Sequence, residues 1–258
     1  MKKDLNDCQR SVEVTKISTE GSSAETNLIL LKEHELDIII NEKKAMRLVC
    51  TKSDLEELVL GRLLTGGFID AAEDVSEIYF NKYETEASVF LNKEINLEKI
   101  IQEEKSCCAG NRIWYLSENS SRLKKLPEAG YRPEWIFELA RIFEKGSFLH
   151  EQTSSTHSCM LATGDRLLYM CEDIGRHNAV DKVIGHGMKE GIPLSKCILY
   201  TSGRIPVDMA EKSIAAGIPV LASKSSPTAD AVELAREFGL VLIGNAYPDS
   251  MKVYDPSK

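Results

Sequence analysis

"CILYTSGRIPVDMAEKSIAAGIPVLASKSSPTADAVELAREFGLVLIGNA", residues 197 to 246, decides the fold class. It reads as strand "CILYTSG", helix "PVDMAEKSIAAG", strand "IPVLASKS", helix "PTADAVELAREFG" and strand "LVLIGNA". Apolar runs alternate with amphipathic stretches, the pattern of strand–helix–strand units in a largely parallel sheet. Upstream, "HSCMLATG" (157–164) and "RLLYMCEDI" (166–174) read as paired strands, and a helix over 177–188 turns Ala179, Val180, Val183 and Ile184 to one face. "PEWIFELARIFEKG" (133–146) is a helix with Pro133 at its start and Gly146 at its end. These elements predict a three-layer α/β domain.

The first part of the chain reads differently. "ELDIII" and "AMRLVC" flank "NEKK" as a hairpin, and "SEIYFNKYETEASVFLN" is a second pair of strands. "SDLEELVLGRLL" opens with Ser53 and Glu56 at capping-box spacing and carries apolar residues at 55, 58, 59 and 63, so a helix is expected there. "EKIIQEEK" reads as a short charged helix or linker. Residues 105 to 130 are polar and irregular, and the domain boundary is placed there. The division is a smaller β-rich α+β N-terminal domain (1–110), a polar linker (111–130) following the Cys107 segment, and the α/β domain (131–258).

The 258 residues are 43% hydrophobic and 28% charged, the balance of an ordinary globular protein. No apolar run reaches the roughly 18 residues of a membrane helix, and the start of the chain lacks a signal-like apolar segment, so a cytoplasmic protein is expected. The net charge of -8 is uneven. Residues 1–110 carry 14 Lys/Arg and 22 Asp/Glu, whereas residues 111–258 carry 18 of each. The first part therefore repels nucleic acid and anionic membrane, leaving neither as an expected partner. The second part can host an anion where its cations converge.

Three junctions offer such convergence: "EDIGRHN", "TSGRIP" and "SKSSPT". Parallel strands put all three at one sheet edge, each at a helix N-terminus. They bring Arg176, Arg204 and Lys224, with hydroxyls from Thr201, Ser202, Ser225 and Ser226. Together they describe a pocket for a phosphorylated ligand, but ordinary helix capping explains the same residues one junction at a time. His177 stands at a helix start with a structural reading beside the functional one. His157 and Cys159 share a strand face, as the start of a metal site would. The remaining zinc-deaminase signature is absent, since position 159 is not Glu and no C-x-x-C follows, so no metal is expected.

Seven cysteines sit at 8, 50, 107, 108, 159, 171 and 197, without a C-x-x-C pair or the spacing of a disulfide framework. Cys107 and Cys108 are adjacent in "KSCCAGNR". Neighbouring Cα atoms are about 3.8 Å apart, short of the roughly 4.4–6.8 Å a relaxed disulfide spans. Lys105 and Arg112 favour a thiolate there, whereas Glu103 and Glu104 oppose it. A reactive thiol and two cysteines without a role both stay open.

"EDIGRHNAVDKVIG" (172–185) and "YTSGRIPVDMAEKSIAAGIPVLASKSSPTADAVELA" (200–235) closely resemble the formate dehydrogenase accessory sulfurtransferases, the FdhD/NarQ family. The resemblance covers nearly all of 150–254, and "LVLGRLLTGGFID" (58–70) fits more loosely. It implies a cytidine-deaminase-like fold and a homodimer. It also implies a sulfur carrier that takes persulfide sulfur from a cysteine desulfurase and passes it to the bis-molybdopterin guanine dinucleotide cofactor of formate dehydrogenase. The carrying cysteine matches Cys107. The family's usual S-C-G-x-C-G is here Ser106-Cys107-Cys108-Ala109-Gly110, so the second family cysteine falls at Gly110. The guanine nucleotide moiety is expected on Arg176, His177, Ser202, Arg204 and Lys224, together with Asn245, Ala246, Tyr247, Pro248, Asp249 and Ser250. In that last segment, Asn245 and Tyr247 replace a family aromatic and arginine. Two alternatives stand beside this function: a non-catalytic molybdenum-cofactor-binding chaperone, and a nucleotide-modifying hydrolase on a deaminase-like scaffold.

Overall fold

The computed structural model describes residues 6–95 and 130–254, with 97–99, 112–113, 115–117 and 123–128 between them. In chain order, the first part gives β1 (Gln9–Ile17), β2 (Ser23–Leu31), β3 (His34–Ile40), β4 (Lys43–Cys50), α1 (Leu55–Thr65), β5 (Val75–Phe80), β6 (Glu86–Leu91), β7 (Leu97–Lys99), β8 (Arg112–Ile113) and β9 (Tyr115–Ser117). β1 and β2 form an antiparallel ribbon of their own, and β7 pairs with β9. The other strands make a five-stranded sheet in the order β5-β6-β3-β4-β8. The turn from β3 to β4 is Asn41-Glu42, both at positive φ (45° and 67°), a pair that matches the twist of a two-residue hairpin.

The second part gives α2 (Pro133–Glu144), α3 (Phe148–Thr153), β10 (His157–Thr163), β11 (Arg166–Asp173), α4 (Arg176–Lys189), β12 (Ile198–Thr201), α5 (Val207–Ala215), β13 (Val220–Ser223), α6 (Ala229–Phe238), β14 (Val241–Gly244) and β15 (Lys252–Tyr254). Their sheet order is β11-β10-β12-β13-β14-β15. Strand alternation sorts its side chains. Leu161, Leu199, Leu221 and Leu242 point toward α4, α5 and α6, whereas Met160, Tyr200, Ala222 and Ile243 point toward α2. α2 answers with Ile136, Leu139, Ala140 and Phe143, and each fully buried large apolar side chain contributes about 1.5–3 kcal/mol. The chain thus has a mixed α/β fold.

Four local expectations need correcting. The sheet is mixed: only the β12–β13 and β13–β14 pairings are parallel, because β10 and β15 run against their neighbours. The Ser53–Glu56 box does not form. Asp54 occupies the N-cap at φ 52° without a side-chain cap bond, and its Oδ1 accepts the Tyr169 hydroxyl at 2.6 Å. Glu98 and Lys99, expected in a helix or linker, lie in β7 and gain strand partners from β9. The expected linker holds β8 and β9, paired with β4 and β7.

α1 and α4 cross at two glycines. A methyl group on Gly61 would overlap the Asp181 carbonyl, and one on Gly185 would overlap the Glu57 carbonyl. Only glycine lets the backbones approach this closely. One apolar cluster runs through this crossing, from Leu36 and Val89 in the five-stranded sheet to Leu221 and Leu242 in the six-stranded one. Two buried ion pairs flank it. Lys182 meets Asp173 at 2.6 Å with both side chains fully buried, and Lys212 meets both oxygens of Asp181 at 2.7 Å. Burial disfavours the charge on Lys182, but the Asp173 carboxylate outweighs it and raises the pKa. For Lys212 burial prevails, helped by the Arg62 charge, and brings the pKa down to about 8.

Candidate functional site

β10 is antiparallel to both β11 and β12, so β11, β12, β13 and β14 all run the same way. Their carboxyl ends share one edge with the start of β10. The junctions 172–178, 201–206 and 223–228 meet there, as does the segment after β14. Backbone bonds stitch them together: Ser202 N–H to Ser158 O (3.0 Å), Lys224 N–H to Thr201 O (3.1 Å), Asn245 N–H to Ser225 O (3.1 Å) and Ala246 N–H to Ser223 O (2.9 Å). Hydroxyls add cross-ties, with Ser223 donating to Gly203 O at 2.6 Å and Ser225 to Ser202 O at 3.0 Å. Ser226 donates to Asn245 Oδ1 at 2.9 Å, and Asn245 itself sits at φ 47°.

The predicted residues fall into two groups. Arg204 and Lys224 are exposed, and among the described residues no acidic side chain pairs with either. Ser202 is half-buried between them and His157; its Oγ accepts the Ser158 N–H at 3.1 Å and lies 3.4 Å from His157 Nδ1. Asn245, Tyr247 and Pro248 are half-buried, Asp249 and Ser250 exposed. Ala246 is buried, with its carbonyl accepting the Tyr200 hydroxyl at 2.6 Å. Arg176 and His177 lie deeper, at 5% and 7% exposure, beneath the edge rather than on it. The Arg176 chain passes under Gly203, where an added methyl would come within 3.2 Å of its Cδ. His177 Nε2 lies 2.8 Å from Asp208 Oδ2 in the first turn of α5.

The helix starts are unequal too. At α4 the carboxylate of Asp173 accepts Gly175 N–H (2.8 Å) and Asn178 Nδ2 (3.0 Å), so this terminus already faces an anion of the protein. α5 starts after Pro206 without a side-chain cap, and α6 is capped by Thr228, which accepts Ala231 N–H. Both helices carry an acid of their own in the first turn, Asp208 in α5 and Asp230 in α6. Burial opposes ionisation of Asp208, but the His177 hydrogen bond and the nearby His177 and Arg176 charges hold its carboxyl below the usual value. Burial, reinforced by the Arg176 charge, lowers the pKa of His157, which is neutral at pH 7. Sequence reasoning missed Asp208, whose one signal was an acid three residues after the "TSGRI" turn.

Cys8, Cys50, Cys159, Cys171 and Cys197 are all buried. Burial pushes up the thiol pKa of Cys8, Cys50, Cys159 and Cys197, which keeps them protonated and unreactive. Cys107 and Cys108 lie outside the described residues. Among the described residues no three His, Cys, Asp or Glu side chains converge as metal ligands, and no helix is long and apolar enough to cross a membrane.

Residues 31–258 match the FdhD/NarQ family. The sequence is similar to Sulfur carrier protein FdhD of Halalkalibacterium halodurans, 31% identical over 229 residues that cover 86% of this chain and 85% of the relative. It is 29% identical over 242 residues to the Bacillus subtilis protein of the same name, covering 91% of each. The structure is similar to the crystal structure described as that of a formate dehydrogenase accessory protein from Desulfotalea psychrophila. The TM-score is 0.80 at 26% identity, over 96% of this chain and 97% of that one. On a match that spans both sheets and every junction of the edge, the chain belongs to the FdhD/NarQ family.

Proposed function

We propose that this protein is a sulfur carrier for formate dehydrogenase. Cys107 takes the outer sulfur of a cysteine desulfurase persulfide: its thiolate attacks that sulfur, the S–S bond to the donor breaks, and the donor leaves as thiolate. The S–S bond of the Cys107 persulfide would then break, Cys107 leaving as thiolate and the outer sulfur going to a reduced bis-molybdopterin guanine dinucleotide, which would supply the two electrons that make it sulfide and would be held as cargo with its guanine nucleotide on the strand edge. The reading includes a cytoplasmic homodimer and a deaminase-like layering of the second part.

The observation that carries this reading is the open edge with exposed Arg204 and Lys224. Two cations without acidic partners among the described residues, beside the Ser202 and Ser226 hydroxyls, fit a ligand with several phosphate oxygens. Asn245, Tyr247 and the segment to Ser250 would border the nucleotide. The tether of the thiol supports the reading as well. Arg112 in β8 pairs with Arg47 of β4, and β4 leads to Thr51, whose Oγ1 donates to Asp173 Oδ2 at 3.0 Å below the edge. The five residues from Arg112 back to Cys107 span at most about 17 Å.

Incubation with a cysteine desulfurase and cysteine, followed by mass spectrometry, tests the proposal. Cys107 should gain one sulfur atom, and Cys107→Ala should gain none and fail to mature formate dehydrogenase. A Cys107→Ala protein that still matures the enzyme would leave the cofactor-binding chaperone as the better reading. If Cys108→Ala is the inactive variant instead, the carrying thiol is its neighbour.

A further inference from the structure

The β1–β2 ribbon stands apart from both large sheets. It precedes nearly all of the residues matched to the family, and the described contacts at its base include Gln9 Nε2 to Gln152 Oε1 of α3 at 2.7 Å. A two-stranded hairpin alone is marginal in water. Cross-strand partners share a face, so the register sorts the ribbon's charges by sign. Arg10 pairs with Leu30, Val12 with Leu28, Val14 with Thr26 and Lys16 with Ala24. This face is apolar, cationic at both ends and free of acid. The opposite face pairs Gln9 with Leu31, Ser11 with Ile29, Glu13 with Asn27, Thr15 with Glu25 and Ile17 with Ser23, so it also exposes Ile17 and Ile29 but carries two acids and no cation. Leu28 and Leu30 remain 49% and 39% exposed.

The same chain carries a surface of complementary character. One face of the five-stranded sheet packs on α1 through Leu36, Ile38, Ala87 and Val89. Its other face shows Tyr79 (54% exposed) and Phe90 (40%) in edge-to-face contact, centroids 6.2 Å apart. Glu77 lies opposite Phe90 in the ladder, and Glu86 is two residues before Ser88, the partner of Tyr79. Asp37 and Glu35 of this face are held by Arg47 and Lys44, so four carboxylates against two cations leave it acidic, with Glu77 and Glu86 around the aromatic centre.

We propose that the ribbon is a dimer arm whose Val12–Leu28–Leu30 face lies on the Tyr79–Phe90 face of a second copy of this chain, with Arg10 and Lys16 directed to that copy's carboxylates. This deepens the homodimer part of the function proposed above. Strands of nine residues give a ribbon roughly 30 Å long and about 10 Å wide, a footprint of roughly 300 Å². A twofold axis makes the contact twice, and counting both partners buries about 1,200 Å², the lower bound for a stable specific interface.

Light scattering on the full chain tests the arm. Wild type should be a dimer. Leu28→Asp with Leu30→Asp should weaken it at least about tenfold, and so should Tyr79→Asp with Phe90→Asp. Ser11→Asp with Thr15→Asp, on the other ribbon face, should leave it intact. Mixing the first two variants should yield a mixed dimer through the one contact each pair retains. A second measurement needs no substitution: carbodiimide coupling of mixed isotope-labelled and unlabelled protein should join Lys16 of one copy to Glu77 or Glu86 of the other. A wild-type dimer that survives both apolar variants and shows no such cross-link overturns the arm while leaving the homodimer standing. A monomeric wild type overturns both. Loss of dimer in the arm variant alone overturns the proposed docking face. Sulfur uptake by Cys107 is read separately and is not touched by these outcomes.

Discussion

The α1–α4 seam and the strand edge at the head of α4 are built from the same residue types in opposite states. In the seam, Lys182 and Lys212 each meet an aspartate in the protein interior, and both cations are held in fixed ion pairs. At the edge, Arg204 and Lys224 reach into solvent with no acidic partner among the described residues. A buried cation without its anion costs several kcal/mol, so seam charges must be matched for the protein to fold at all. An exposed cation costs little, so the edge can keep its charges in reserve for a ligand. A substitution should thus cost stability in one region and affinity in the other.

The hardest test of that contrast is Lys182→Met. It leaves Asp173 charged and fully buried, and the expected loss is about 3–5 kcal/mol by chemical denaturation. A variant as stable as wild type would erase the distinction. Gly185→Ala comes next. Its methyl overlaps the Glu57 carbonyl, so α1 and α4 must separate at a cost of about 3 kcal/mol, again read from the denaturation midpoint. Arg204→Ala should fall on the other side of the divide. Stability should stay within about 0.5 kcal/mol, while calorimetry with GDP should show affinity about tenfold weaker and less sensitive to salt. Unchanged GDP binding would remove Arg204 from the site.

The smallest effect lies where the two regions touch. His157 has its pKa lowered in the fold, so the unfolded chain takes up that proton first as pH falls through 6.5, and stability drops there. Asp208, held below its ordinary 3.8, gives a second loss as pH falls through that value. His157→Gln should remove the first loss and keep the second, measured as denaturation midpoints across pH 7.5 to 3.5. An unchanged profile would show that His157 is solvated like any surface histidine.

The edge was legible because it follows from local pattern. Leu199, Leu221 and Leu242 alternate with neighbours that face the other way, and turn residues follow each strand. The depth of Arg176 was not legible, since nothing in "GRHN" tells that Gly203 will lie over the arginine chain. The seam was hidden for a related reason. Asp181 and Lys182 drew no reading of their own, because their partners are Lys212, Thr65 and Asp173, reached only through tertiary contact. The failed capping box has the same origin, because Tyr169 engages Asp54 from a distant strand. The ribbon, with polar and apolar residues mixed on β1, drew no strand expectation because neither face of it meets the core.

The glycine crossing has a consequence for how the chain comes off the ribosome. Gly61 and Gly185 belong to segments far apart in sequence, and contacts of that range form late in folding. Leu58, Val59 and Leu63 of α1 are made well before Val180 and Ile184, their companions in the shared apolar cluster. Until α4 emerges, the nascent five-stranded sheet carries a helix with one greasy side uncovered, the kind of surface that chaperones hold. Premature termination anywhere between α1 and α4 should therefore yield an aggregating fragment and not a smaller soluble domain.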